Sequence, residues 1–130
     1  MQKIFLLGML TFFTSILFSQ PADCLKFKDG KFKTTNPYLG DITIADRKGG
    51  YQTESSEALK LIVRFKVMWS SNCSLILTLD KIIRNENKIN VPANLVISIK
   101  IIATSGNTYT QETTSSFNSA QYKFDVVKIE

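Results

Sequence analysis

The sequence predicts an all-β fold: a single antiparallel meander of about eight strands, closed or nearly closed as an up-and-down barrel. Three observations predict it. Apolar residues recur with period two along almost the whole chain, and no long stretch shows the period of a helix. Compact turn signals separate the runs, so every neighbouring pair of strands can be antiparallel. A meander of hairpins also leaves two unpaired edges unless it closes, which favours a barrel over the alternative, a β-sandwich.

The chain begins with the basic segment Met1-Gln2-Lys3, an apolar run from Ile4 to Phe18, and Ser19-Gln20-Pro21. This is the layout of a secretory signal peptide, residues 1–19, ahead of a single secreted β domain, residues 20–130. The apolar run falls short of the roughly 20 residues that span a bilayer, so no stable membrane insertion is expected after cleavage. Lipid anchoring through Cys24 is the rival reading, although Asp23 stands where a small residue would be expected.

Residues 26–33, KFKDGKFK, read nearly the same in both directions. Folded as a hairpin, they would set Lys28 against Lys31 and Lys26 against Lys33, and like charges directly opposite disfavour that pairing. The expectation is a turn that packs Phe27 under the barrel, with the first strand starting at Gly30. Asp41–Arg47 and Tyr51–Ser55 flank Lys48-Gly49-Gly50, a hairpin signal because paired glycines tolerate positive φ.

Ala58–Trp69 is the clearest strand. Leu59, Leu61, Val63, Phe65, Val67 and Trp69 share one apolar face, and the other face is largely basic. Ser70-Ser71-Asn72 turns the chain into Cys73–Asp80, where Leu75, Leu77 and Leu79 repeat the alternation. Residues 81–92 are the least regular and read as a long loop or a short extra strand. Ala93–Thr104 is strand again, with Leu95, Ile97, Ile99 and Ile101 on one face. Ser105-Gly106-Asn107 precedes the threonine-rich Thr108–Ser115, and Ser116–Ser119 precedes Ala120–Ile129, where Tyr122, Phe124 and Val126 share a face.

The order of features resembles a family of small secreted proteins from Bacteroidota. Cys24, Phe27, Gly30 and Phe32 match its early Cys-x-x-Phe-x-x-Gly-x-Phe. Arg47, Gln52 and Glu54 match Arg-x4-Gln-x-Glu, and Val67, Trp69 and Cys73 match Val-x-Trp-x3-Cys. The match covers the first half of the mature chain; the second half agrees only as pattern, and the resemblance implies no activity. Gly30-Lys31-Phe32 is similar to the Gly-x-aromatic entry of lipocalin-type barrels, with phenylalanine in place of tryptophan. Ser105 to Tyr109 is similar to the Ser-Gly-x-x-Tyr loop of periplasmic lysozyme inhibitors. The tryptophan and lysine-glycine that should follow are missing, and Phe117 stands nearest.

Composition narrows the function classes. The chain has no histidine, which removes the commonest general base, the usual serine and cysteine triads, and most zinc and copper sites. No catalytic residue, cofactor or metal ligand is expected. With Lys3 set aside, 15 basic residues face 11 acidic ones, a net charge of +4. That mild excess, without base-stacking aromatics gathered beside it, argues against a nucleic-acid partner. Cys24 and Cys73 would meet an oxidising compartment after export, where a disulfide is the default. It would close a loop of about 50 residues, worth up to about 4 kcal/mol in the chain-entropy treatment.

Arg47, Gln52 and Glu54 form the sharpest polar cluster. If Gly49-Gly50 is a two-residue turn, Arg47 pairs with Gln52 and Ala45 with Glu54, so all three polar groups lie on one face. Outside the barrel they would be an exposed ion pair of about 0–1 kcal/mol. Inside, they would be a buried network able to orient a polar ligand group. Phe65 and Trp69 are the candidate apolar ligand wall.

The expected function is a secreted or periplasmic, non-enzymatic barrel binding a small apolar ligand or an extracytoplasmic protein. The alternative is an accessory or inhibitor protein acting through its loops, in the manner of lysozyme inhibitors. A small glycoside-acting enzyme is a minor alternative, since Asp41, Asp46, Glu54 and Glu57 crowd one region. A lumen cavity of about 300 Å³ or more, lined by Phe65, Trp69 and the isoleucines of 95–101, would favour a ligand carrier. Ile62, Ile76 and Ile102, on nominally polar faces, mark a second buried layer or a patch for a partner.

Overall fold

The computed structural model describes residues 23–36 and 41–130; the expected signal peptide lies outside them. Eight antiparallel strands follow one another around a closed barrel: β1 (Gly30–Thr35), β2 (Ile42–Lys48), β3 (Tyr51–Ser56), β4 (Leu61–Ser71), β5 (Ser74–Asn85), β6 (Val96–Ser105), β7 (Thr108–Ser115) and β8 (Asn118–Lys128). Each strand pairs with its neighbours in sequence, and β1 pairs with β8 to close the ring. The alternative sandwich is excluded by that closure.

The turns carry the register. Gly49 and Gly50 hold φ of 62° and 82°, the left-handed backbone that a tight hairpin between twisted strands demands. They set Lys48 opposite Tyr51, Arg47 opposite Gln52 and Ala45 opposite Glu54, as the sequence predicts. Three strand bounds differ from expectation by more than two residues. Ala58–Lys60 belong to the turn before β4, because the Ser56 hydroxyl accepts from the Leu59 amide at 3.2 Å and Lys60 takes a φ of 49°. β5 runs on to Asn85, because register shifts between Ile62 and Val63 and between Arg64 and Phe65 keep residues 81–85 paired with β4. Each extra residue reverses the inside–outside alternation, which is why this stretch reads as irregular. β6 begins at Val96, after a turn in which Pro92 accepts from the Leu95 amide at 3.1 Å.

Ahead of β1, a single 3-10 turn, Leu25–Phe27, lies under the barrel and plugs one end. Phe27 is wholly buried there, its ring 4.8 Å from Tyr109 in an edge-on contact and 6.4 Å from Phe32. The Cys24–Cys73 disulfide ties this plug to the β4–β5 turn across 49 residues of sequence. The palindromic lysines disperse, as expected. Lys28 sits 3.4 Å above the Trp69 ring, the Lys26 ammonium donates to the Gly106 carbonyl, and Lys31 pairs with Glu130.

The inward side chains pack in two clusters. One surrounds the plug: Cys24, Phe27, Phe32, Ala45, Ile101, Tyr109 and Val126. The other joins β4, β5 and β6 through Val63, Phe65, Leu75, Leu77 and Ile99, with Trp69 touching both. No second layer covers the outer wall among the described residues. Ile102 is exposed, while Ile62 and Ile76 are half-buried, Ile76 opposite the exposed Met68.

Candidate functional site

Arg47, Gln52 and Glu54 all point into the lumen. Alternation alone places them there, since Ala45 and Arg47 on β2 and Gln52 on β3 are buried while Asp46 and Lys48 face solvent. The three form one directed chain. Arg47 Nη1 donates to the Phe27 carbonyl of the plug at 2.7 Å, and its Nε donates to Gln52 Oε1 at 2.8 Å. Gln52 Nε2 in turn donates to Glu54 Oε1 at 2.8 Å. Arg47 Nη2 reaches the Tyr109 hydroxyl at 3.4 Å. The guanidinium also lies 4.7 Å above the Phe32 ring and 5.5 Å from that of Trp69. An arginine can only donate, so the amide of Gln52 must turn its oxygen to Arg47 and its NH2 to Glu54. The chain therefore ends on an acceptor.

Beyond Arg47, away from the plug, the lumen holds a cavity of about 210 Å³. Gln52 and Glu54 line it on one side, and Ile97, Ile99, Phe124 and Val126 supply apolar wall. Thr34, Thr43, Gln111 and Thr113 add short polar groups. The charges are few: Arg47 and Glu54, with Tyr109 the one other titratable side chain among its described lining residues. Burial pushes the Glu54 carboxyl above the ordinary carboxylate range, although the Gln52 hydrogen bond and Arg47 pull the other way. Burial likewise raises the Tyr109 phenol, against Arg47, so it stays neutral.

The structure brings Arg47, Gln52 and Glu54 together and leaves Phe65, opposite Gln52, and Trp69, beside the Arg47 guanidinium, outside the cavity lining. Phe65 is buried in the packed cluster of β4–β6 and is not among the cavity's lining residues. Trp69 lies at the plugged end beneath Lys28. The cavity is thus smaller than the 300 Å³ expected of a carrier and has a different apolar wall; Ile97 and Ile99 are the expected members it retains. Phe124 and Val126 were legible as one face of the last strand, but not as neighbours of Glu54, because that proximity exists only once β8 closes on β1. Tyr109, which the sequence places at the start of the threonine-rich strand Thr108–Ser115, is a core residue 2% exposed. Of the four crowded carboxylates, only Glu54 lines the cavity; Asp46 is exposed and Glu57 reaches Arg84 at the surface, 3.7 Å away. Among the described residues no three His, Cys, Asp or Glu side chains cluster in a way that could hold a metal ion.

Comparison with protein-family models, with curated proteins and with solved structures found no match for this chain. What the structure shows is the architecture: eight antiparallel strands in a closed barrel and one disulfide.

Proposed function

We propose that this protein is a secreted or periplasmic, non-enzymatic barrel that holds a small, partly apolar molecule in its lumen. The observation that carries the reading is the 210 Å³ cavity between the Gln52–Glu54 side and the Ile97–Ile99–Phe124–Val126 wall. A barrel of eight strands is just wide enough for side chains to fill it or to enclose one small ligand. Here the plug-side and β4–β6 clusters fill most of the interior and leave this space beside a built polar chain. An apolar cavity of about 150 Å³ takes benzene, so this one suits a guest of about eight non-hydrogen atoms. The disulfide is consistent with an oxidising compartment.

The test is native mass spectrometry of protein isolated from the extracytoplasmic fraction, beside a Thr43→Phe variant that fills the cavity from β2. The expected result is a small adduct of constant mass on the wild type and none on the variant. Identical, adduct-free spectra for both would sink the reading.

One observation favours a second reading, a protein contact at the end opposite the plug. Leu59, Ile83 and Phe117 are exposed there, on the β3–β4 turn, on β5 and on the β7–β8 turn. Substituting Phe117 and Ile83 by serine would weaken such a contact and leave the adduct unchanged.

A further inference from the structure

The direction of the hydrogen-bond chain says which chemistry the lumen can receive. Three of Arg47's five N–H groups already donate within the protein, to Phe27, Gln52 and Tyr109. The guanidinium is also 2% exposed and held against the rings of Phe32 and Trp69. It is poorly placed to clasp an anion. Gln52 has its oxygen turned to Arg47 and an N–H committed to Glu54. What the chain presents to the cavity is the Glu54 carboxylate. Its Oε1 accepts from Gln52, and its Oε2 has no hydrogen-bond partner among the described residues.

We infer that the lumen takes a small primary amine, its ammonium donating to Glu54 and its apolar body lying against Ile97, Ile99, Phe124 and Val126. This rests on the reading of the lumen as a ligand site and adds the ligand's class. A carboxylate guest would meet Glu54 as a like charge and find the guanidinium buried against Phe32 and Trp69. A hydroxyl guest could donate but would bring no charge. The raised pKa of Glu54 agrees, because it marks a carboxylate whose desolvation Arg47 and Gln52 do not fully offset. An ammonium offsets it, and the intervening Gln52 keeps that cation off the guanidinium.

Three guests of matched size separate the possibilities: benzylamine, benzyl alcohol and benzoate. Their binding is measured by titration calorimetry on the disulfide-bonded protein, on E54Q and on T43F. Benzylamine is expected to bind tightest. E54Q should weaken it by about ten- to hundredfold, the worth of a hydrogen bond between charged groups, while keeping benzyl alcohol affinity, which shows that the variant is folded. T43F should weaken all three guests. Benzoate binding tightest, benzyl alcohol matching benzylamine, or an unchanged benzylamine affinity in E54Q each overturns the amine inference and leaves the lumen reading standing. No binding by any of the three overturns both.

Discussion

Arg47 keeps a guanidinium out of water without a carboxylate in direct contact, which costs several kcal/mol unless other groups replace its hydration. Three acceptors and two aromatic faces do so. Glu54, two links further along, is less well served, and its pKa rises. The consequence for stability has a definite sign. Between the ordinary carboxylate pKa of the unfolded chain and the raised one of the fold, the native state keeps a proton the unfolded state has lost. Stability therefore falls as pH rises through that window, and the contribution is fully present below it. The expected outcome is a urea midpoint that falls with pH in the wild type relative to Glu54→Gln, which has no proton to lose. Parallel curves for the two proteins would show that burial does not perturb this carboxyl. The groups that face it are Arg47 from β2, Gln52 on its own strand and Tyr109 from β7. The sequence placed Arg47, Gln52 and Glu54 on one face through the Gly49-Gly50 turn. It left open which face, because period two is the same read from either side.

The plug and the strand it precedes depend on two local devices. Gly30 takes a φ of 138°, and a Cβ there would stand 2.5 Å from the Glu130 carbonyl oxygen. Gly30→Ala is expected to cost at least about 1–3 kcal/mol, the range for a residue held in a sparsely populated backbone region, with the backbone clash in addition. Thermal unfolding measures it, and an unchanged melting temperature would refute the tight approach of the C-terminal segment. The second device is the disulfide. Without it, residues 24–28 are held by noncovalent contacts: the 3-10 turn's own bonds, the packing of Phe27, the Arg47 bond to the Phe27 carbonyl, and the exposed bonds of Lys26, Lys28 and Lys128. A Cys24→Ser, Cys73→Ser double variant should lose up to about 4 kcal/mol. It should also become open to trypsin after Lys26 or Lys28, under conditions where the oxidised protein resists. Equal denaturation midpoints and equal resistance would mean that the noncovalent contacts alone seat the plug. The strands were legible wherever alternation is unbroken. Residues 81–85 were not, because two register shifts in the β4–β5 pair reverse the parity on which alternation depends.

At the scale of the whole molecule, closure of β1 on β8 turns eight half-buried strands into one lumen. The outer wall carries Lys33, Lys66, Lys100, Lys123 and Asp125, all exposed, on four different strands. A lipid-facing barrel needs an unbroken apolar band there, and these charges interrupt it. Among the described residues, no helix is long and apolar enough to cross a membrane. The interior is uneven: apolar and packed at β4–β6, and part polar with free space where β2, β3, β7 and β8 contribute Arg47, Gln52, Glu54, Gln111, Thr113 and Phe124. Alternation and turn chemistry are local properties. By themselves they determined the all-β class, the order and number of strands, the hairpin register at Gly49-Gly50 and the burial of Phe27; the cysteine count and the expected export predicted the pairing of Cys24 with Cys73. The tertiary structure decided which face of each strand is the inside, how much of the lumen stays unfilled, and that Phe65 and Trp69 pack away from the cavity. Those depend on distances between strands far apart in sequence, and they exist only once the ring has closed.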